Sequence, residues 1–406
     1  MNAPVTPSSS PNPRRKKAMT AVSAVLALSA VAWGVHYFMF GRHVEQTDNA
    51  YVQANVVQIT PQVGGTVLAI GADDTDLVKA GQVLVKLDPA DARVALDQAE
   101  AQLAQTVREV RTLYANNETL KAQMQTREAD VAKASNEVER AQDDVNRRKP
   151  LLSTGAVGQE EFNHAVAQLN TTKTALAAAK SGLAAAQEQL SSNRALTDGT
   201  TVTAHPNVAR AAAKVREAYL ALQRVALPAP VDGYVAKRSV QVGQRVQAGT
   251  PLMALVTLQQ PWVDANFKES QLQRIRIGQP ATLTADVYGE KVEFHGKVEG
   301  LGAGTGAAFA LLPAQNATGN WIKVVQRVPV RIALDAAEVK AHPLRVGLSM
   351  EVAVDVSKQD GAVLSDTVRK GHALETDVFA QQQRDADALV KRIISSNLGH
   401  QASVGA

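Results

Sequence analysis

The chain contains no cysteine. This excludes disulfides, thiol catalysis, thiolate metal sites and a lipidated N-terminal Cys, while leaving an oxidising compartment permissible. Aromatic residues make up only 4% of the 406 positions, and the middle third is rich in Ala, Gln and Leu, a balance suited to long thin helices rather than one large core. A general excess of charge is also missing. Arg14, Arg15, Lys16 and Lys17 together account for the whole formal charge of +4, so the basic balance reports one local cluster and not a nucleic-acid surface. No HExxH, GxSxG or P-loop occurs, and the eight His are scattered. Gly302 to Ala307 spells GxGxxA, but Pro313 follows with no long helix, which speaks against a dinucleotide site. The chain reads as a non-enzyme with no cofactor and no metal.

What is present first is an apolar run. Ala18 to Phe40 contains no Asp, Glu, Lys or Arg, and 23 residues at ~1.5 Å each reach roughly 34 Å, enough for a bilayer core. The basic residues before it predict a cytoplasmic tail at 1–17, an uncleaved single-pass anchor at 18–40 and export of everything after a linker at 41–50. A cleaved signal peptide is the competing reading, weakened because the run continues eight residues past Ala32.

Beyond the linker one motif is written twice. Gly65-x-Val67 followed by Val78-x-x-Gly81-x-x-Leu84 returns 168 positions later as Gly233-x-Val235 followed by Val246-x-x-Gly249-x-x-Leu252. Paired β runs around a Gly turn, twice, are what a flattened sandwich of the lipoyl or biotinyl type needs, here split into 51–89 and 227–260. A carrier function is excluded, since the turn that would bear a modifiable Lys is replaced by a long excursion and Lys86 lies inside a strand pattern. Asp73, Asp74 and Asp76 lack the Gly and Glu of a calcium loop and read as a solvated turn. Asp88 and Pro89 are placed as N-cap and first residue of the next helix.

The excursion is heptad. Leu96, Leu103, Val110, Asn117, Met124, Val131, Val138 and Val145 recur every seven residues, with Asn117 the polar, register-setting position. Pro150, Gly155 and Gly158 are read as the break, after which Phe162, Leu169, Leu176, Leu183 and Leu190 restart the period. The pattern predicts an antiparallel α-helical coiled-coil hairpin over 90–226, with its tip at 148–159 and an inserted loop at 196–205. Its arms of 58 residues would extend on the order of 90 Å. A β-barrel is expected over 261–358 and a C-terminal tail over 359–406, in which Thr376 to Leu398 has the pattern of an amphipathic helix. The fold class is thus α+β, elongated and multidomain.

The anchor, Thr47-Asp48-Asn49-Ala50-Tyr51-Val52, the split half-motifs, Trp262 to Glu269 and Leu311 to Trp321 together resemble the EmrA-type periplasmic adaptors, membrane fusion proteins of the HlyD family. The resemblance covers roughly residues 15 to 356. It implies the adaptor subunit of a tripartite multidrug efflux pump, with an inner-membrane major-facilitator drug/proton antiporter and a TolC-like outer-membrane channel as partners. It also implies a ring of about six copies and a location on the inner membrane, with most of the chain periplasmic. In such adaptors the hairpin tip carries Arg, Leu and Ser at set spacing. Arg147 and Leu151 match the first two positions, and Gly158 stands where Ser is expected. An adaptor for an ABC-type system and a structural periplasmic coiled-coil tether are the alternatives.

Overall fold

The structure is a computed structural model that describes residues 13–39, 43–309, 324–365, 368 and 374–399. Helix α1 runs Pro13–Met39. Within it side chains are described from Lys17 to Trp33, and all are exposed. Among the described residues no helix is long and apolar enough to cross a membrane. Of the tail expected at 1–17, residues 1–12 and the side chains of Arg14, Arg15 and Lys16 lie outside the described residues, as do the side chains at the far end of the expected anchor.

Residues 44–50 are not a linker. They form the first half of β1, Val44–Ile59, a strand 16 residues long. The sequence disguises this because two of its inward positions are polar, Glu45 and Thr47, both buried. Each is satisfied from far along the chain: Arg274 Nη2 lies 2.7 Å from Glu45 Oε1, and Thr47 Oγ1 donates to the Asn266 carbonyl at 2.9 Å. Burying a polar group is tolerable only with such partners.

Strand β1 serves two layers. Its first half pairs with β12, Ser349–Asp355, and with the end of β8, Met253–Lys268. Between them, β9 (Pro280–Ala285), β10 (Glu293–Leu301) and β11 (Arg327–Leu334) complete the circuit β1-β12-β9-β10-β11-β8-β1, a closed six-stranded barrel. Closure removes sheet edges. The barrel's core includes Phe267, Phe294, Leu283 and Ile332, all fully buried. A short helix α5, Ala336–Ala341, is capped by Asp335, whose carboxylate accepts from the N–H of Ala337 at 2.8 Å. The barrel therefore draws on residues before 51 as well as after 260, and the boundaries at 50/51 and 260/261 fall inside continuous strands. Leu311 to Trp321 lies outside the described residues.

The second halves of β1 and β8 run on into the sandwich. There β2 (Gly65–Ile70) pairs with both β4 (Val83–Leu87) and β7 (Arg245–Val246), while β3 (Leu77–Val78) pairs with β6 (Gly233–Arg238). Each copy of the repeated motif thus hydrogen-bonds to the other. The six apolar motif positions, Val67, Val78, Leu84, Val235, Val246 and Leu252, are all buried. Gly81 and Gly249 share φ +84, a left-handed turn that a side chain would strain. The expected solvated turn is tied down: Arg238 Nε donates to Asp73 Oδ1 at 2.7 Å and the Arg238 N–H to Asp74 Oδ1 at 2.6 Å, joining the halves.

The hairpin leaves from β4 as α2, Ala90–Ser153, 64 residues; at ~1.5 Å per residue this is roughly 96 Å. It begins one residue later than expected. Pro89 is the N-cap, and Asp88 accepts from the N–H of Ala90 at 3.0 Å. Pro150 does not break α2 but sits in its last turn, where only one backbone hydrogen bond is forfeited. Gly155, at φ +72, lies just past the end of the helix at the turn. The chain returns as α3 (Gln159–Arg194) and α4 (Pro206–Gln223), then re-enters the sandwich as β5, Ala226–Pro228. Finally α6, Ala380–Asn397, packs on α2 and α4.

Candidate functional site

The residues expected to act sit at the hairpin tip, and local forces shape it. Val145, Ala165 and Leu169 form a small buried core with Phe162 and Val138 packed against it, so the last turns of α2 and the first of α3 are clamped together. Arg148 adds a polar brace. Its guanidinium lies 3.2 Å from Asp144 Oδ2, donates to the Glu161 carbonyl at 3.4 Å and stands 3.7 Å from the Glu161 carboxylate. The sequence signal for this brace is weak, because Glu161 lies on the other arm.

Arg147 is different. Its side chain is 75% exposed and held only by a 3.5 Å contact to Asp144, so its donors are largely available to a partner. Leu151, one turn on, is 43% exposed. The two lie on one stretch of α2, while Gly158 lies across the turn as the N-cap of α3, with φ −76, ψ 150 and no side-chain cap. A Cβ there would meet nothing within 4 Å. Glycine is therefore not required by space or backbone at this position, and no side-chain hydrogen bond arises from it. The tip thus presents the Arg147 guanidinium and the Leu151 side chain to solvent beside the turn.

Asn117, the expected register residue, has a precise role. Asn193 Nδ2 donates to Asn117 Oδ1 at 2.8 Å and to the Leu113 carbonyl at 3.1 Å, and Asn117 Nδ2 donates to Thr197 Oγ1 at 2.7 Å. Tyr114, which the heptad reading passed over, donates to the Thr200 carbonyl at 2.8 Å and pins the loop between α3 and α4.

Two signature segments meet in the barrel. Asn266 Nδ2 donates to the Asn49 carbonyl at 3.2 Å and to its side-chain oxygen at 3.1 Å, closing β8 on β1. In the same segment Trp262 Nε1 donates to Asp264 Oδ1 at 3.0 Å, and the Arg331 guanidinium stacks 3.9 Å above the Trp262 ring. Burial pushes the Asp264 carboxyl up, against the lowering effects of Trp262 and Arg331. Among the described residues, no group of three or more His, Asp or Glu gathers to hold a metal ion.

The family comparison matches both modules. Residues 90–225 match the EMRA alpha-helical hairpin domain and residues 261–355 the AAEA-like beta-barrel domain. The chain is 44% identical over 370 residues to the multidrug export protein EmrA of Escherichia coli (strain K12), covering 91% of each chain. It belongs to the EmrA-type membrane fusion proteins. A second family member, the fatty acid resistance protein FarA of Neisseria gonorrhoeae, is 48% identical over 361 residues, covering 87% of this chain and 88% of its own. EmrA of Haemophilus influenzae is 40% identical over 394 residues, 97% of both chains. In this EmrA-type chain the matched hairpin and barrel are joined through the sandwich formed by the two motif copies.

Proposed function

We propose that this chain is the periplasmic adaptor of a tripartite multidrug efflux pump, linking an inner-membrane major-facilitator drug/proton antiporter to a TolC-like outer-membrane channel. The observation that carries this reading is the hairpin: 64 residues of unbroken helix ending in an exposed Arg147 and Leu151. No core calls for such a length, whereas a gap between membranes does. The α1 helix, with its basic start, is the inner-membrane anchor in this reading, leaving the N-terminus cytoplasmic. Transport energy comes from the antiporter.

Assembly into a ring belongs to this reading, with six copies the number that the family resemblance implies. One hairpin cannot enclose a conduit, and the seam at mid-length is only half covered by its own partner, with no buried residue in α2 between Leu120 and Val145. At the tip, Arg147 pairs with carboxylates or carbonyls of the channel while Leu151 supplies apolar contact.

A photoreactive residue in place of Leu151, in membranes from cells that express the whole system, tests this. Capture of an outer-membrane channel protein, abolished by Arg147→Glu, is the expected result. Self-crosslinks alone, from a folded and exported chain, would sink the docking claim and leave a coiled-coil tether.

A further inference from the structure

The segment after the barrel lies outside both matched domains, which end at residues 225 and 355. It nevertheless travels the length of the body. Strand β12 ends at Asp355, paired with Val44 at the barrel end remote from the sandwich. Helix α6 begins at Ala380 against the base of the hairpin, beyond the sandwich. There Ala386, Leu389 and Val390 are buried, and Leu389 and Val390 share a core with Leu103 and Val107 of α2 and with Val208 of α4. Polar contacts set the register of that docking. Arg216 Nε of α4 lies 2.6 Å from Asp387 Oδ1, and Arg108 Nη1 of α2 donates to Asn397 Oδ1 at 2.7 Å.

The first turn of α6 also faces the sandwich. Phe379 and Gln382 line a cleft of about 200 Å³ together with Ile59, Leu227 and Arg224. That cleft lies beside the joint where hairpin and sandwich meet, which the two hairpin arms cross at 88–89 and 224–225. One helix therefore grips both hairpin arms at their base and abuts the sandwich across the joint. With 18 residues, three of them buried, it would be marginal alone in water, so that release and melting are a single event.

We propose that α6 is a detachable clamp whose docking face is the hairpin base: docked, it holds the hairpin at one angle to the sandwich, and released, it lets the two swing. The clamp goes beyond the adaptor reading and does not depend on it, since it concerns the joint of the free chain.

The absence of cysteine makes the test clean. Spin labels at Glu118→Cys on α2 and Val242→Cys on the sandwich, both exposed positions, report the joint in the full-length protein. A narrow distance distribution is expected for the parent chain. Leu389→Asp and Asp387→Arg should each broaden it, and Arg216→Asp combined with Asp387→Arg should narrow it again. Hydrogen exchange at the tip and in the barrel, unchanged in these variants, establishes that they are folded. Equal widths in all four chains would overturn the clamp. A disulfide between Arg216→Cys and Asp387→Cys that forms between chains, and not within one, would overturn it as well by making α6 an exchanged arm.

Discussion

The two copies of the Gly-x-Val motif look equivalent in the sequence, and the structure makes them unequal in a way that can be measured. A Cβ added to Gly233 would lie 2.7 Å from the carbonyl oxygen of Val256 and 3.2 Å from its carbon, both backbone atoms of the neighbouring strand β8. A Cβ added to Gly65 would meet only the Leu87 side chain, at 3.4 Å. Neither glycine has a left-handed φ, so backbone strain does not separate them. Replacing Gly by Ala restricts the unfolded chain and gains about 0.4–1 kcal/mol where the native site accepts it. Overpacking costs roughly 1–3 kcal/mol, and here the obstacle is a paired strand, which cannot rotate away. Gly65→Ala should therefore be neutral to slightly stabilising, and Gly233→Ala should destabilise the sandwich by about 1–2 kcal/mol. Hydrogen exchange at Val67, Leu84 and Val235 reads this locally, without involving the hairpin. About tenfold faster exchange is expected in Gly233→Ala, since ~1.4 kcal/mol is a factor of ten. Equal effects of the two substitutions, or a larger one at Gly65, would refute the reasoning.

Three further outcomes follow from named contacts. Glu338 holds the His295 ring, with Nδ1 2.8 Å from its carboxylate, and this raises the His295 pKa above the ordinary value. A raised pKa stabilises the fold fully below about 6.5 and loses that contribution as pH rises through the folded value. Titration of His295 by NMR should show the elevation, and Glu338→Gln should reduce it, leaving the smaller contributions of Glu293 and Asp335. The hairpin base should be sensitive to Leu103→Ala, because Leu103 is fully buried there. A loss of roughly 2–5 kcal/mol is expected from thermal or urea unfolding of the helices. Asn193→Ala removes two donated bonds and leaves Asn117 Oδ1 short of a partner. It should cost about 1–3 kcal/mol, seen as faster exchange around Leu113. An unchanged rate there would mean that water replaces the amide without cost.

The heptad run and its end located the hairpin turn, where Gly155 takes φ +72, but Arg147 and Leu151 were singled out by the family resemblance and not by the periodicity. The Arg148 brace was hidden because its partner Glu161 lies on the other arm. The anchor of the inter-helix loop was hidden for the same reason, as Tyr114 bonds to residues more than 80 positions away.

By itself the sequence determined the features that repeat at short range. The period of seven set the hairpin, though α2 runs 64 residues through Pro150 and not the 58 expected, and the spacing of the doubled motif set two left-handed turns with the same φ of +84 at Gly81 and Gly249. These depend on neighbours three, four or sixteen residues away, which periodicity records. Only the tertiary structure decided how the barrel closes, which motif copy pairs with which, and where α6 docks. Val44 meets Asp355, Thr47 is satisfied by a carbonyl 219 residues along the chain, and Asp387 finds Arg216 171 residues before it. Inward polar residues such as Glu45 and Thr47 look like linker until their distant partners are in place, because the energy that permits their burial lies in those partners and leaves no trace in the local pattern.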